Sequence, residues 1–395
     1  MKTKRLTEVC NITTGKLDSN AEVPNGKYPF FTCAPESLRI DTYAFDDDVI
    51  LLAGNNAQGN FHIARYKGKF NAYQRTYVIT AKEGYDIDYV KYSLELSLQH
   101  LKRIAQGSQT KFLTMQILDS FQVVDIPCTE QKSLIGSIRD IDKKIFHNNQ
   151  ICSELESMAK TLYDYWFVQF DFPDENGRPY RTSGGEMVWN DQLKREIPKG
   201  WGIGKIKQLG SIISGGTPST KHEEYYCDYG FAWITPNDLS GNEGKMFIGH
   251  GERDVTQDGI DNSSATLMPK GSVLLSTRAP IGYLAIAENE LSTNQGFKSI
   301  VPDAGYSEYY IYYLLLRNIP ALEKQGVGTT FKEISKDTLA EFEVLLPSKT
   351  IANMFAESIQ SACELRAKLE KENRELTKLR DWLLPMLMNG QATVE

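Results

Sequence analysis

The stretch LLAGNNAQGNFHIARYKGKFNAYQRTYVI (51–79) gathers Asn55, Asn56, Gln58, Arg65, Lys67, Lys69, Gln74 and Arg75 between apolar runs. Asn, Gln and Arg can meet the edge of a nucleic-acid base with two hydrogen bonds at once, and Lys with Arg neutralises phosphate. Gly54, Gly59 and Gly68 would let the backbone approach a ligand closely. Further along, SGGTPST (214–220), ITPNDLS (234–240), STRAPIG (276–282) and STNQGFK (292–298) offer Thr217, Ser219, Asn237, Arg278, Asn294, Gln295 and Lys298. One frame, Gln-Gly-x-x-Thr-x-Phe, occurs twice. QGSQTKF (106–112) carries Gln109, Thr110 and Lys111, and QGVGTTF (325–331) carries Thr329 and Thr330. Thr110 and Thr329 fit a phosphate contact and a strand or helix cap equally well. Gly-Asn and Thr-Pro clusters also make ordinary turns, so each loop has a recognition reading beside a turn reading.

Catalytic spacing is missing. The five histidines (His62, His100, His147, His222, His250) show no metal-ligand pattern. His222-Glu223-Glu224 begins like a zinc-protease helix, but Tyr226 stands where its second histidine belongs. There is no phosphate-cradling G-x-x-x-x-G-K-[ST] loop, since GNEGKM at Gly241 lacks its length and its hydroxyl. GWGIGK (200–205) lacks the third glycine of a dinucleotide fingerprint, and G-x-S-x-G is absent. No Asn-Pro-Pro-aromatic run or carboxylate–lysine nuclease cluster occurs. A binding and scaffolding protein is expected, not an enzyme, with no cofactor or metal of its own.

At 395 residues the chain is too long for one core. Its 41% hydrophobic and 24% charged residues are those of a globular protein, with no run apolar enough to span a bilayer. No signal peptide is expected, because no apolar run follows the first lysines. The six cysteines lack any Cys-x-x-Cys spacing, which fits reduced thiols and a cytoplasmic location. The net charge of −7 weighs against a nucleic-acid binder only for the chain as a whole. The field of one face decides.

The elements that must position these side chains repeat. FQVVDIP ends at Pro127 and FEVLLP at Pro347, each reading as the last strand of a domain. Before them lie two helical stretches, DYVKYSLELSLQHLKRIA and EYYIYYLLLRNIPALEK. After them come long segments almost free of Gly and Pro. In the first, steps of four and three visit Leu134, Ile138, Ile141, Ile145, Asn148, Cys152, Leu155, Ala159, Leu162 and Trp166. In the second they visit Ile351, Phe355, Ser358, Ala362, Leu365, Leu369, Glu372, Leu376, Leu379 and Leu383. Two helices burying one narrow stripe are expected. The narrowness favours pairing with another long helix over packing of each on its own domain. Asn148 in the stripe would fix register. The fold class is α+β: two mixed globular domains (1–128 and 201–347), two long helices (129–170 and 348–395), and an irregular surface connector (171–200).

These runs resemble the DNA-specificity subunit of type I restriction-modification systems. EQKSLIGSIRDIDKKIFHNNQICSELESMAKTLYDYWFVQF (130–170) is similar to that family's central helix, and FPDENGRPYRTSGGEMVWNDQLKREIPKGW to its segment leading into the second domain. GGTPST, AWITPNDLS, STRAPIG and NQGFK resemble stations along its target recognition domains. One departure is visible: Lys349-Thr350 stands where the first helix has Glu130-Gln131, which puts equal partner contacts by the two helices in doubt. The resemblance implies two target recognition domains, each reading one half of a bipartite double-stranded DNA target. It implies an antiparallel helix pair, hence a pseudo-two-fold coiled coil. A rod of 129–168 would be about 60 Å long at roughly 1.5 Å per residue, on the order of 18 base pairs at roughly 3.4 Å per step. It further implies two methyltransferase subunits and restriction/translocase subunits as partners, with S-adenosylmethionine, ATP and Mg in those subunits. A specificity module of another DNA-modifying or phage-defence complex, or a non-DNA adaptor, remains as an alternative.

Overall fold

In the computed structural model the described residues are 2–56, 61–104, 112–242, 244–278, 280–327 and 332–388. The chain forms two compact units, residues 1–145 with 375–395, and residues 146–374. This division runs through both long helices, where the sequence suggested boundaries at their starts.

In the first unit a six-stranded sheet has the order Cys10–Thr14, Thr76–Ala81, Phe45–Ala53, Ile63–Ala72, Tyr28–Phe31, Leu38–Ile40. The central strand FDDDVILLA shows why it lies in the middle. Its Val49 to Ala53 half is buried on both faces, while its aspartates reach outward. Ile50 and Leu52 share a core with Tyr89, Val90 and Leu94 of the helix Ile87–Ile104, and Val49 and Leu51 pack with Phe70 and Val78 on the other face. Asp86 caps that helix by accepting the amides of Asp88 and Tyr89 at 3.0 and 3.3 Å. The first strand, Thr3–Arg5, pairs antiparallel with Gln122–Val124, the strand before the first long helix.

In the second unit a five-stranded sheet (Ser211–Ser214, Lys298–Val301, Val273–Thr277, Ile281–Ala287, Phe247–Ile248) lies with a four-stranded one (Tyr226–Cys227, Arg253–Val255, Phe231–Ile234, Leu291–Thr293). Gly202–Lys205 pairs antiparallel with Glu343–Leu346, so this globular part closes first strand to last strand as the other does. Its core is aromatic: Tyr163, Phe167, Tyr310 and Phe355 all lie in one buried cluster, with the Phe167 and Phe355 rings 5.2 Å apart.

The connector departs from expectation. It holds a hairpin, Met187–Asn190 with Arg195–Pro198, and Phe170, Phe172 and Ile197 are buried with Trp201. Phe172 stacks on Tyr180 at 4.6 Å and on Trp201 at 5.1 Å. Asp171 accepts from the backbone and hydroxyl of Thr182 at 2.8 and 2.7 Å. A Gly-, Pro- and Asn-rich average hides the few aromatic residues that anchor the segment.

The first long helix comes as Cys128–Leu134 and Gly136–Tyr163, followed by a π turn, Asp164–Val168, that buries Trp166 and Phe167. The second runs Lys349–Met388. Within each unit the two lie antiparallel. In the first, Asp142 meets Arg380 at 3.1 Å, and Ile135 and Ile138 share a cluster with Leu384 and Leu387. In the second, Asn148 meets Asn373, Glu156 meets Arg366, and Trp166 meets Phe355.

The phase of the second helix needs correcting. Its buried track is Ala352, Ala356, Ile359, Cys363, Arg366, Glu370 and Asn373, then half-buried Thr377 and Arg380, then Leu384 and Leu387. That track lies one residue beyond the apolar walk. Leu365 and Leu379 are therefore 43% and 44% exposed and Leu376 and Leu383 half-buried, while Phe355 and Leu369 of the walk are buried beside the track. Charged and amide side chains fill the seam, and apolar periodicity counts these as surface. On the first helix Ile138, Asn148 and Cys152 are buried, while Leu134, Ile141, Ile145, Leu155 and Leu162 flank them half-buried. Asn148 donates to Glu372 at 2.8 Å and Asn373 at 2.9 Å, and Asn373 donates to Asn149 at 2.8 Å.

One join is built twice from different side chains. Gln131, fully buried, accepts the amide of Asp86 at 2.8 Å and donates to the carbonyls of Gly84 and Ile126 at 3.3 and 2.7 Å. Asn353 accepts the amide of Ser307 at 3.1 Å and donates to Gly305 at 3.0 Å. Gly84 and Gly305 both sit in the left-handed region, at φ 87° and 85°, where glycine carries no steric penalty. Each amide thus ties the start of a long helix to the turn that opens an 18-residue helix, Ile87–Ile104 or Glu308–Gln325. Gln131→Leu is expected to destabilise the chain by about 1–3 kcal/mol, because groups around a buried amide lose their partner, and Asn353→Leu by less, because water reaches the Gly305 carbonyl that it meets. Urea unfolding would measure it, and a change under half a kcal/mol for both would contradict the role.

Candidate nucleic-acid interface

In the first unit Phe45–Ala53 and Ile63–Ala72 pair so that Asp48 lies opposite Lys67 and Asp46 opposite Lys69. Both lysines are exposed, and the Lys69 ammonium sits 4.6 Å from the centre of the Tyr43 ring. Opposed charges keep this stretch near neutral, which weakens it as a phosphate track. Arg65 is corrected from a recognition candidate to a structural tie. Its guanidinium donates to Asp88 at 2.8 Å, Asp48 at 2.5 Å and the Val49 carbonyl at 3.0 Å. Burial works against its charge, but the bonds to Asp48 and Asp88 outweigh that and hold its pKa above the ordinary guanidinium value. Gln74 donates to Asp18 at 2.8 Å. Arg75 is exposed and lies over the Phe112 ring at 5.7 Å. Asn55 bridges to Phe112 through the backbone, and its buried Oδ1 has no partner among the described residues. Arg75 and Asn55 are therefore neighbours of Phe112, and Asn56, next in the chain, is half-buried. Gln58, Gln109, Thr110 and Lys111 lie outside the described residues, as do Thr329 and Thr330.

The second unit draws its candidates together more tightly. The Thr217 hydroxyl donates to the Gln295 side chain. A Cβ at Gly215 would overlap the Asn294 carbonyl oxygen, so only glycine lets these loops touch. Asn294 accepts the Gly296 amide at 2.9 Å. Lys298 is 8% exposed, yet among the described residues its ammonium finds only the Gln295 carbonyl at 3.4 Å and Glu333 at 3.8 Å. Burial lowers its pKa, and Glu333 pulls it partly back. Arg278 lies 3.9 Å from the same carboxylate. Asn237 is exposed on the short helix Pro236–Ser240, whose Pro236 ring approaches Gly296. Ser219 is exposed on a turn closed by His222. Glu333 was missed, because nothing in its local sequence links it to Arg278 or Lys298.

Separate from these loops, the long helices expose apolar side chains. In the second unit these are Phe146, Ile151, Met158, Met354 and Leu365, and in the first unit Leu379 and Trp382, the latter 58% exposed. Among the described residues no helix is long and apolar enough to cross a membrane, and no group of three or more His, Cys, Asp or Glu could hold a metal ion.

The sequence model of the family described as type I restriction modification DNA specificity domain matches residues 1–157 and 198–375. The type I restriction enzyme MjaIX specificity subunit of Methanocaldococcus jannaschii is 39% identical over 197 residues, covering 48% of this chain and 45% of that protein. The HindI specificity subunit of Haemophilus influenzae is 27% identical over 347 residues, 74% of each. The match thus spans about half the length of the first relative and about three quarters of the second. The crystal structure of a type I restriction-modification system S subunit from M. genitalium aligns over 98% of this chain and 95% of its own, with TM-score 0.59 at 14% identity. That likeness is one of fold.

Proposed function

Because this chain belongs to the type I restriction modification DNA specificity domain family, we propose that it is the DNA-reading subunit of a type I restriction-modification complex. Each globular part reads one half of a bipartite duplex target, and the paired helices set the distance between half-sites. The observation that most supports this is the double family match, one over each half of the chain. Two non-identical readers on one polypeptide suit a target in two different halves. In the second reader the exposed Arg278, Gln295 and Asn237 are the base-reading types. In the first, Arg75 beside Phe112 is the leading candidate.

Methylation and cleavage would belong to partner subunits, with their S-adenosylmethionine, ATP and Mg. Methyltransferase subunits would dock on the exposed apolar helix faces, one per unit, since such faces mark protein contacts when they line one element. Cytoplasmic residence fits that assembly.

The complex with methyltransferase subunits is expected to retain random-sequence duplexes in gel shift at 50 mM salt. Between about 50 and 200 mM salt it should lose on the order of 10³-fold or more, as phosphate contacts release counterions. Binding that ignores salt, or none, would remove the DNA reading.

A further inference from the structure

Lys298 is the buried lysine among the described residues, and those residues leave its coordination incomplete. An ammonium carries three donors. Here they meet one carbonyl at 3.4 Å and one carboxylate at 3.8 Å, both outside good hydrogen-bond range. Arg278, nearly half exposed, shares the same carboxylate at 3.9 Å. One anion therefore serves two cations and satisfies neither. Its position is fixed by its backbone: Glu333 exchanges two hydrogen bonds with Val327, at 3.0 and 3.1 Å, and bridges to Arg278. The next residue, Ile334, donates to the Thr277 carbonyl at 3.0 Å.

Resting on the DNA-reading function above, we propose that Glu333 is a specificity-determining residue of the second reader, an internal stand-in for a DNA phosphate that holds Arg278 and Lys298 until a fitting duplex displaces it. The carboxylate repels any phosphate backbone that comes near. A duplex must therefore supply more than charge to take the two cations over. It does so only when its base edges also satisfy Thr217, Gln295 and the Arg278 fork. Without the carboxylate, both cations would accept any phosphate, and affinity would rise for every sequence alike.

The test uses the full chain with its methyltransferase subunits and a pool of random-sequence 40-base-pair duplexes. Glu333→Gln, nearly the same shape, is expected to bind the pool about tenfold more tightly at 100 mM salt, with a salt slope steeper by about two, roughly 0.9 for each of the two freed cations. Glu341→Gln is the control, since it removes the same charge from a carboxylate paired with Lys205 and Lys207 elsewhere in the unit. It should change nothing. If Glu333→Gln leaves pool affinity and slope at the parent's values, or if Glu341→Gln raises them equally, the role assigned to Glu333 is wrong while the DNA reading stands. If the parent complex itself shows no salt-dependent retention, the DNA reading falls first and takes this inference with it.

Discussion

Arg366→Met is expected to lower the stability of the second unit by about 3–5 kcal/mol, the usual loss when one member of a buried ion group is removed. Arg366 is 2% exposed. It donates to Glu370 at 2.7 Å and to the Gly244 carbonyl at 2.8 Å, and lies 3.2 Å from Glu156 on the facing helix. Glu370, also buried, accepts the amides of Met246 and Phe247 at 2.9 and 3.0 Å, so it ties the helix to a strand of the sheet. Methionine fills the volume but leaves Glu156 facing Glu370 with no cation between them. Changing Glu156 to glutamine as well should recover part of the loss, because one of the two stranded charges goes with it. Urea unfolding, followed by circular dichroism, reads both values. A loss below about 1 kcal/mol for the single variant would mean that the triad is wet and weak, like a surface pair.

The second large effect concerns assembly. Leu379→Glu with Trp382→Glu is expected to weaken retention of one methyltransferase subunit by about 30-fold or more, since a buried Trp anchor typically contributes about 2 kcal/mol or more. The melting temperature should move little, because neither side chain is buried in the core. Met158→Glu with Leu365→Glu should release the other subunit in the same way. Native mass spectrometry counts the subunits that remain. If either double variant loses both at once, the two faces are not separate docking sites.

How much of this was legible in the sequence depends on what each element is made of. The paired long helices and the strand before each were readable because Pro127 and Pro347 punctuate them and hardly any Gly or Pro follows. Asn148 could be placed because an amide in an apolar track stands out. The phase of the second helix could not be read. Its seam is Arg366, Glu370, Asn373 and Arg380, while Leu365, Leu376 and Leu379 one step away offer a cleaner apolar period. A buried charge is recognisable only beside its partner, and those partners come from elsewhere in the chain. Of Glu130-Gln131, Gln131 points inward, and Asn353 does the same work on the second helix from a different offset. The loops of the second unit that come together were readable because glycine and hydroxyl clusters mark close approach. Arg65 misled because composition cannot tell an arginine committed to two aspartates from one that is available.

The pairing of Thr3–Arg5 with Gln122–Val124, and of Gly202–Lys205 with Glu343–Leu346, has a consequence for inheritance. The polypeptide enters and leaves each globular part across a single ribbon of hydrogen bonds. A crossover between two related genes at those ribbons would deliver an intact, self-closed cassette. New mosaics could then arise in one genetic event, each with a changed vocabulary and an untouched frame.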